Sequence, residues 1–173
     1  MRLLPLFAGA VLSLAGAAAA APLRLADVAG VYHREERSQF ANGEPYLASS
    51  VLEVVPVSPQ AAYVRTHLAF ANGHFCSTYG VFDLEGPALV RRDPAASEPG
   101  KAPCVLRLAM KGGRIEFDDG RGTCQGDCGA RGSWDGEGFP LSARRPIRYL
   151  PRLLASREYR EATAAHVAAP PRR

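Results

Sequence analysis

From Val28 to Phe139 apolar and polar positions alternate in short runs separated by turn residues, with no helical period, which predicts an antiparallel sheet closed or strongly curved upon itself. The run Cys104–Met110 sets Cys104, Leu106, Leu108 and Met110 on one face and Val105, Arg107 and Ala109 on the other. Gly112-Gly113 then supplies a two-residue hairpin loop into a partner strand with Ile115 and Phe117 inward. A second hairpin joins Ala61–Phe70 to Phe75–Phe82 through Asn72-Gly73, and Glu85-Gly86 turns the chain into Ala88–Arg92. Val28–Arg34, Val51–Val57 and Ser133–Pro140 bring the expected strand count to about eight.

Beyond Pro140 the composition shifts to Arg, Leu and Ala. Ser156–Val167 predicts a helix with Ser156 as its cap and Glu158 in the favourable first turn, and a short helix is expected to begin at Pro151. Pro146 and Pro151 keep the arginines between Arg144 and Arg160 from forming one continuous stripe. The expected fold is therefore all-β, an antiparallel barrel or strongly curved sheet of about eight strands with a C-terminal helix. Asp93–Pro103 and the glycine-dense Asp119–Gly138 read as loops inside that sheet, and Pro170–Arg173 as a frayed end.

At the amino end, Met1-Arg2, the apolar stretch Leu3–Gly16 and an alanine run match a secretory signal peptide over residues 1–20, with cleavage after Ala20. A β-barrel-like domain over 21–142 and an Arg-rich helical segment over 143–173 would follow. Without its first twenty residues the chain keeps 20 Lys and Arg against 17 Asp and Glu, a net charge of 20 − 17 = +3. So mild a balance, in an exported chain, argues against a nucleic-acid partner. No later run approaches the ~20 apolar residues of a membrane span, so no transmembrane anchor is expected and the destination is the periplasm or beyond.

Export changes how the four cysteines are read. An even count outside the cytoplasm predicts two disulfides, and three connectivities are open to Cys76, Cys104, Cys124 and Cys128. The favoured pairing is Cys76 with Cys104 and Cys124 with Cys128, the latter closing a tight Cys-x-x-x-Cys loop. A metal site of His74, Cys76, Cys124 and Cys128 competes, but its spacing matches no familiar zinc pattern.

Two sets of residues carry resemblances. Gly30-Val31-Tyr32 on the first strand, followed by about eight strands and a terminal helix, is similar in outline to the lipocalin-like, or calycin, barrels, although Tyr32 stands where those proteins carry Trp. Asn72-Gly-His-Phe-Cys76 and Cys128-Gly-Ala-Arg-Gly132 resemble segments of small exported bacterial proteins of unassigned function. The resemblance implies export and a compact barrel, and it brings no activity with it.

Candidate chemistry is scattered. Glu35, Glu36, Asp118, Asp119, Asp127, Asp135 and Glu137 offer carboxylates, but they fall in turns or on outward positions where charge is ordinarily solvated. His33, His67, His74 and His166 offer bases, and Ser77 and Thr78 hydroxyls, without a nucleophile elbow. Asp118-Asp119-Gly120 lacks the further oxygen ligands of a calcium loop, and Gly126, Gly129 and Gly132 do not form a phosphate cradle. The recognition candidates are Arg121, Arg131 and Trp134 in the glycine-rich loop, residue types that dominate binding surfaces, set against Trp134 serving as core. The expected function is non-catalytic binding of a small apolar ligand in the barrel mouth, or of an envelope protein partner, inhibitor-like, at the Cys124–Gly132 loop. No cofactor is implied. A hydrolase assembled only in three dimensions, and an envelope component docked through its Arg-rich tail, are the alternatives.

Overall fold

The computed structural model describes residues 23–93 and 102–169. The expected leader, most of Asp93–Pro103 and the terminal Pro170–Arg173 lie outside the described residues. Eight strands follow one another as neighbours in a single antiparallel sheet: β1 (Gly30–Gln39), β2 (Pro45–Ser58), β3 (Ala61–Ala69), β4 (Phe75–Glu85), β5 (Ala88–Asp93), β6 (Cys104–Lys111), β7 (Arg114–Asp118) and β8 (Gly138–Pro140). A helical turn α1 (Leu25–Val28) precedes them, and α2 (Leu150–Leu154) and α3 (Arg157–Ala168) follow.

The sheet curls into a nearly closed barrel because its two ends are tied together. Val31 N–H donates to the Arg145 carbonyl and Arg145 N–H to that of Val31, each at 2.9 Å. Arg34 Nη2 donates to Glu137 at 2.7 Å and Nη1 to the Gly138 carbonyl at 3.2 Å. Gly30 permits this closure: its φ of 147° belongs to glycine, and a Cβ there would lie 2.8 Å from the Arg145 carbonyl oxygen. The Gly112-Gly113 loop has φ of 56° and 76°, the positive pair that a tight hairpin requires.

Alternation delivers the apolar set to the inside. Tyr32, Leu52, Val64, Phe82, Leu106, Phe117 and Phe139 are fully buried there. Leu25 and Val28 of α1 plug one end, where Tyr32 Oη donates to the Val28 carbonyl at 2.8 Å. Trp134 joins the same core, its ring 5.4 Å from that of Phe117. A residual void of about 10 Å³ near Val54, Leu89 and Ile115 has room for little more than a water. The interior is thus a packed core.

The disulfides are Cys76–Cys128 and Cys104–Cys124, one nested inside the other, in place of the expected Cys76–Cys104 and Cys124–Cys128. Strand geometry decides this. Cys76 of β4 forms an antiparallel bridge with Cys128, and Cys104 opens β6 directly beneath the loop that carries Cys124. Chain-entropy reasoning assigns about 4 kcal/mol to the 52-residue separation and about 3 to the 20-residue one, values that do not add because the loops are nested.

A smaller apolar cluster lies outside the barrel. Val55 and Tyr63 point away from the core and are covered by Leu153 of α2 and by Tyr159 and Ala162 of α3. Ser156 Oγ caps α3 by accepting from Tyr159 N–H at 3.2 Å. No helix among the described residues is long and apolar enough to cross a membrane.

Candidate binding cleft

Strand register places the outward side chains of β1 to β4 in rows. One row runs His33, Val51, His67, Ser77; the next Val31, Glu53, Arg65, Tyr79; and the third, within β2 to β4, Val55, Tyr63, Val81. The helices cover the third row and overhang the second. Between them and the open part of the sheet lies a cleft of about 1210 Å³, running from His33 on β1 to Arg91 and Arg92 on β5, with Glu158, Glu161, Ala165 and His166 of α3 as its other wall.

Glu53 is the fixed charge of this cleft. Its side chain is 2% exposed. Arg65 binds both carboxylate oxygens, Nη2 to Oε1 at 2.9 Å and Nε to Oε2, and Tyr149 Oη donates to Oε1. The carboxylate raises the Arg65 pKa, while burial first and the Glu53 bond second push Tyr149 up to about 12. A carboxylate held by two donors is an anchor that ties the helical segment to the sheet, and it is not free to act as a general base. Arg152 lies over the Tyr149 ring at 5.4 Å. Below α3, burial pushes the Tyr63 phenol up to about 12, and its hydroxyl has no partner among the described residues.

The α3 wall is held more lightly. Tyr79 Oη donates to Glu161 at 3.1 Å, His166 Nε2 is 3.7 Å from Asp83, and no residue of α3 is fully buried. The backbone N–H at the start of the helix holds the Glu158 carboxyl below its usual range.

At its far end the cleft meets a break in the barrel wall. β4 pairs with β5 only over Asp83, Leu84 and Glu85, and at its start with the loop, where Gly129 N–H donates to the Phe75 carbonyl at 2.7 Å. Arg91 spans the interval. Its guanidinium donates to Thr78 Oγ1, to Asp127 at 2.6 Å and to the Tyr79 carbonyl at 3.4 Å.

The residues singled out from sequence are spread over the molecule. Arg121 and Arg131 are exposed, Arg121 with a φ of 73°, but Trp134 is 1% exposed and its indole N–H is turned toward the Cys124 carbonyl at 3.4 Å. A partner reaching this loop meets the arginines and not the indole. Asp119 is buried, accepting from Gly122 and Cys124 N–H, and Asp135 accepts from Asp119 N–H. Burial, then the neighbouring Asp135, raises the Asp119 carboxyl against those two donors. Glu35 and Glu36 are exposed, and Glu137 is engaged by Arg34. His67 and Ser77 are cross-strand neighbours in the cleft with His33 in the same row, whereas His74 packs beside Gly129. All four cysteine sulfurs are spent in disulfides, and among the described residues no group of three or more His, Cys, Asp or Glu side chains is placed to hold a metal.

Glu53, Arg65, Tyr149 and Arg91 were not anticipated. The available signal was the run Val51–Val57, apolar at outward Val51, Val55 and Val57 as well as inward positions, which means that something covers both faces. No family model, curated protein or solved structure matches the chain.

Proposed function

We propose that the protein is an exported, non-catalytic binding module whose ligand occupies the cleft between the outer face of β1–β4 and α3. The observation that carries this is the contrast between a barrel interior filled by aromatic and aliphatic side chains and an open cleft of about 1210 Å³ beside it, somewhat larger than the roughly 300–1,000 Å³ of most small-molecule sites. Two disulfides and the leader-like amino end support a periplasmic or secreted location. The eight-stranded meander and terminal helix support a lipocalin-like outline, with the proposed ligand space outside the barrel. The cleft sets imidazoles, hydroxyls and charged groups of both signs among Val51, Val81, Ala162 and Ala165, a mixture that suits an amphipathic ligand or a segment of an envelope protein better than the wholly apolar cargo of a hollow barrel. Native mass spectrometry of protein purified gently from an exporting host tests this. A bound mass lost from a variant carrying Ser77→Trp and Ala165→Trp, which crowd the cleft from both walls, is the expected result; a bound mass that persists in that folded variant refutes the location.

A further inference from the structure

The break between β4 and β5 tells more about what the cleft holds. In an antiparallel ladder alternate residues turn both backbone groups toward the same neighbour. On β4 the even positions face β3: the His74 carbonyl accepts from Phe70 N–H at 2.8 Å, and Leu84 N–H donates to the Gln60 carbonyl at 2.7 Å. The odd positions face the other way, as the Phe75 carbonyl does in accepting from Gly129. Ser77, Tyr79 and Val81 therefore direct their N–H and C=O groups into the break. On that side β5 supplies pairing from Asp83 onward, and the Cys76–Cys128 bridge, flanked by the Gly129-to-Phe75 bond, aligns the Ser77 N–H with the Asp127 carbonyl; the Ser77 carbonyl, Tyr79 and Val81 have no ladder or bridge partner on that side among the described residues. Only the Tyr79 carbonyl is otherwise engaged, by the 3.4 Å bond from Arg91.

All of Ser77 to Val81 lines the cleft, as do Arg91, Arg92 and Asp127 across the break. The free edge is five residues long, ~17 Å at the usual strand rise. Backbone donors and acceptors repeating at every second residue along one line are complementary to another extended main chain, and to few other ligands. Tyr79 and the α3 wall stand above this edge, while Arg91, tied to Thr78 and Asp127, closes it from the barrel side, so an added strand would lie in the cleft without entering the core.

We infer that the cleft binds an extended peptide segment of a partner protein by strand addition along Ser77–Val81, its main chain hydrogen-bonding to the groups that β5 leaves unpaired. This rests on the cleft being the binding site. Mixed charge around the edge, with Arg91 and Arg92 against Asp127 and Glu161, leaves most of the recognition to the main chain.

The test begins with selection from a random ten-residue peptide library against the oxidised full chain, and the best peptide is synthesised in three forms: unmodified, N-methylated at odd positions, and N-methylated at even positions. The expected results are slowed hydrogen exchange at the Tyr79 and Val81 amides on binding, and loss of about tenfold or more in affinity for one N-methylated form with little change in the other, since only one alternate set of peptide N–H groups faces β4. Tyr79→Pro, which removes a donor that β3 does not use, should bind correspondingly less than Tyr79→Ala, which loses the same bond to Glu161 but keeps the backbone N–H, with circular dichroism and disulfides unchanged in both. Should the proline variant fail to fold, the exchange and N-methylation results decide alone. Enrichment of no peptide overturns the inference, while the native mass test above still stands for the cleft. Equal binding of both N-methylated forms overturns strand addition and keeps the cleft as a peptide site. Protection of the same amides by raising protein concentration alone names a second copy of this chain as the occupant, and overturns the partner peptide.

Discussion

Removing the Arg65 guanidinium by Arg65→Met would leave the Glu53 carboxylate buried with the Tyr149 hydroxyl as its remaining donor, and a stranded buried charge costs more than the pair it belonged to contributed. Because Arg65 is itself partly exposed, the expected loss is about 2–4 kcal/mol by urea unfolding, below that of a fully buried pair, and Glu53→Leu added to Arg65→Met should recover part of it. Titration gives a second handle. Tyr32, Tyr63 and Tyr149 are each raised from 10.0 to about 12, chiefly by burial. The native state thus holds these protons more tightly than the unfolded chain does. Their contribution to stability is complete below the unfolded value near 10 and is lost as pH climbs toward 12. Absorbance at the phenolate band should show these three of the six tyrosines ionising late, together with alkaline unfolding, and Tyr79, raised by its bond to the Glu161 carboxylate, also ionising above the ordinary value. Asp119 obeys the same sign at acid pH: its carboxyl is raised, so its contribution is complete below the ordinary carboxylate range and fades as pH rises through its native pKa. Carboxyl-carbon NMR should find that Asp135→Asn moves that pKa back down.

Among the elements, the strands were legible because the inward face of nearly every one alternates cleanly, and the hairpins because Gly112-Gly113 and Asn72-Gly73 announce themselves. The β1–β2 hairpin was less so. Its outer half, Glu35–Gln39 with Pro45–Ser49, projects beyond the core and is mostly polar on both faces, so β2 begins six residues before the apolar run that marked it. Disulfide pairing was illegible for a different reason: proximity along the chain favours Cys124 with Cys128, whereas β4 and β6 bring Cys76 and Cys104 under opposite ends of one short loop. Trp134 was ambiguous for want of periodicity in that loop, and the cleft because it needs the outward rows of four strands and a helix distant in sequence. Packing in the loop is tight. A Cβ on Gly132 would sit 2.7 Å from Cys76 Sγ, so Gly132→Ala should lower stability by about 1–3 kcal/mol, the usual range for forced overpacking, or block formation of the Cys76–Cys128 bridge. Thermal melting and a free-thiol assay separate the two.

At the scale of the whole molecule, a filled barrel and an external cleft make opposite demands on a probe. The environment-sensitive dye 1-anilinonaphthalene-8-sulfonate should gain little fluorescence from the barrel interior, whose void among the described residues has room for little more than a water. Trp134→Ala, which empties the largest fully buried side chain, should admit the dye or cost about 3–5 kcal/mol of stability. Strong dye binding that persists when the external cleft is crowded by Ser77→Trp with Ala165→Trp would contradict the packed interior.

The nested bridges bear on how the molecule is made. In a chain oxidised as it emerges from its amino end, Cys76 and Cys104 come out first and are the earliest thiols able to meet, yet neither is the other's native partner. Pairing in order of appearance gives a trapped isomer in which the Cys124–Cys128 loop is closed on itself and cannot brace β4. Reaching the native state then requires thiolate attack on an already formed bond, a reshuffling that takes seconds to hours and is hastened by an isomerase. Yield in a host lacking disulfide isomerase should fall sharply, with the lost material recovered as soluble protein bearing the consecutive pairing on non-reducing peptide maps.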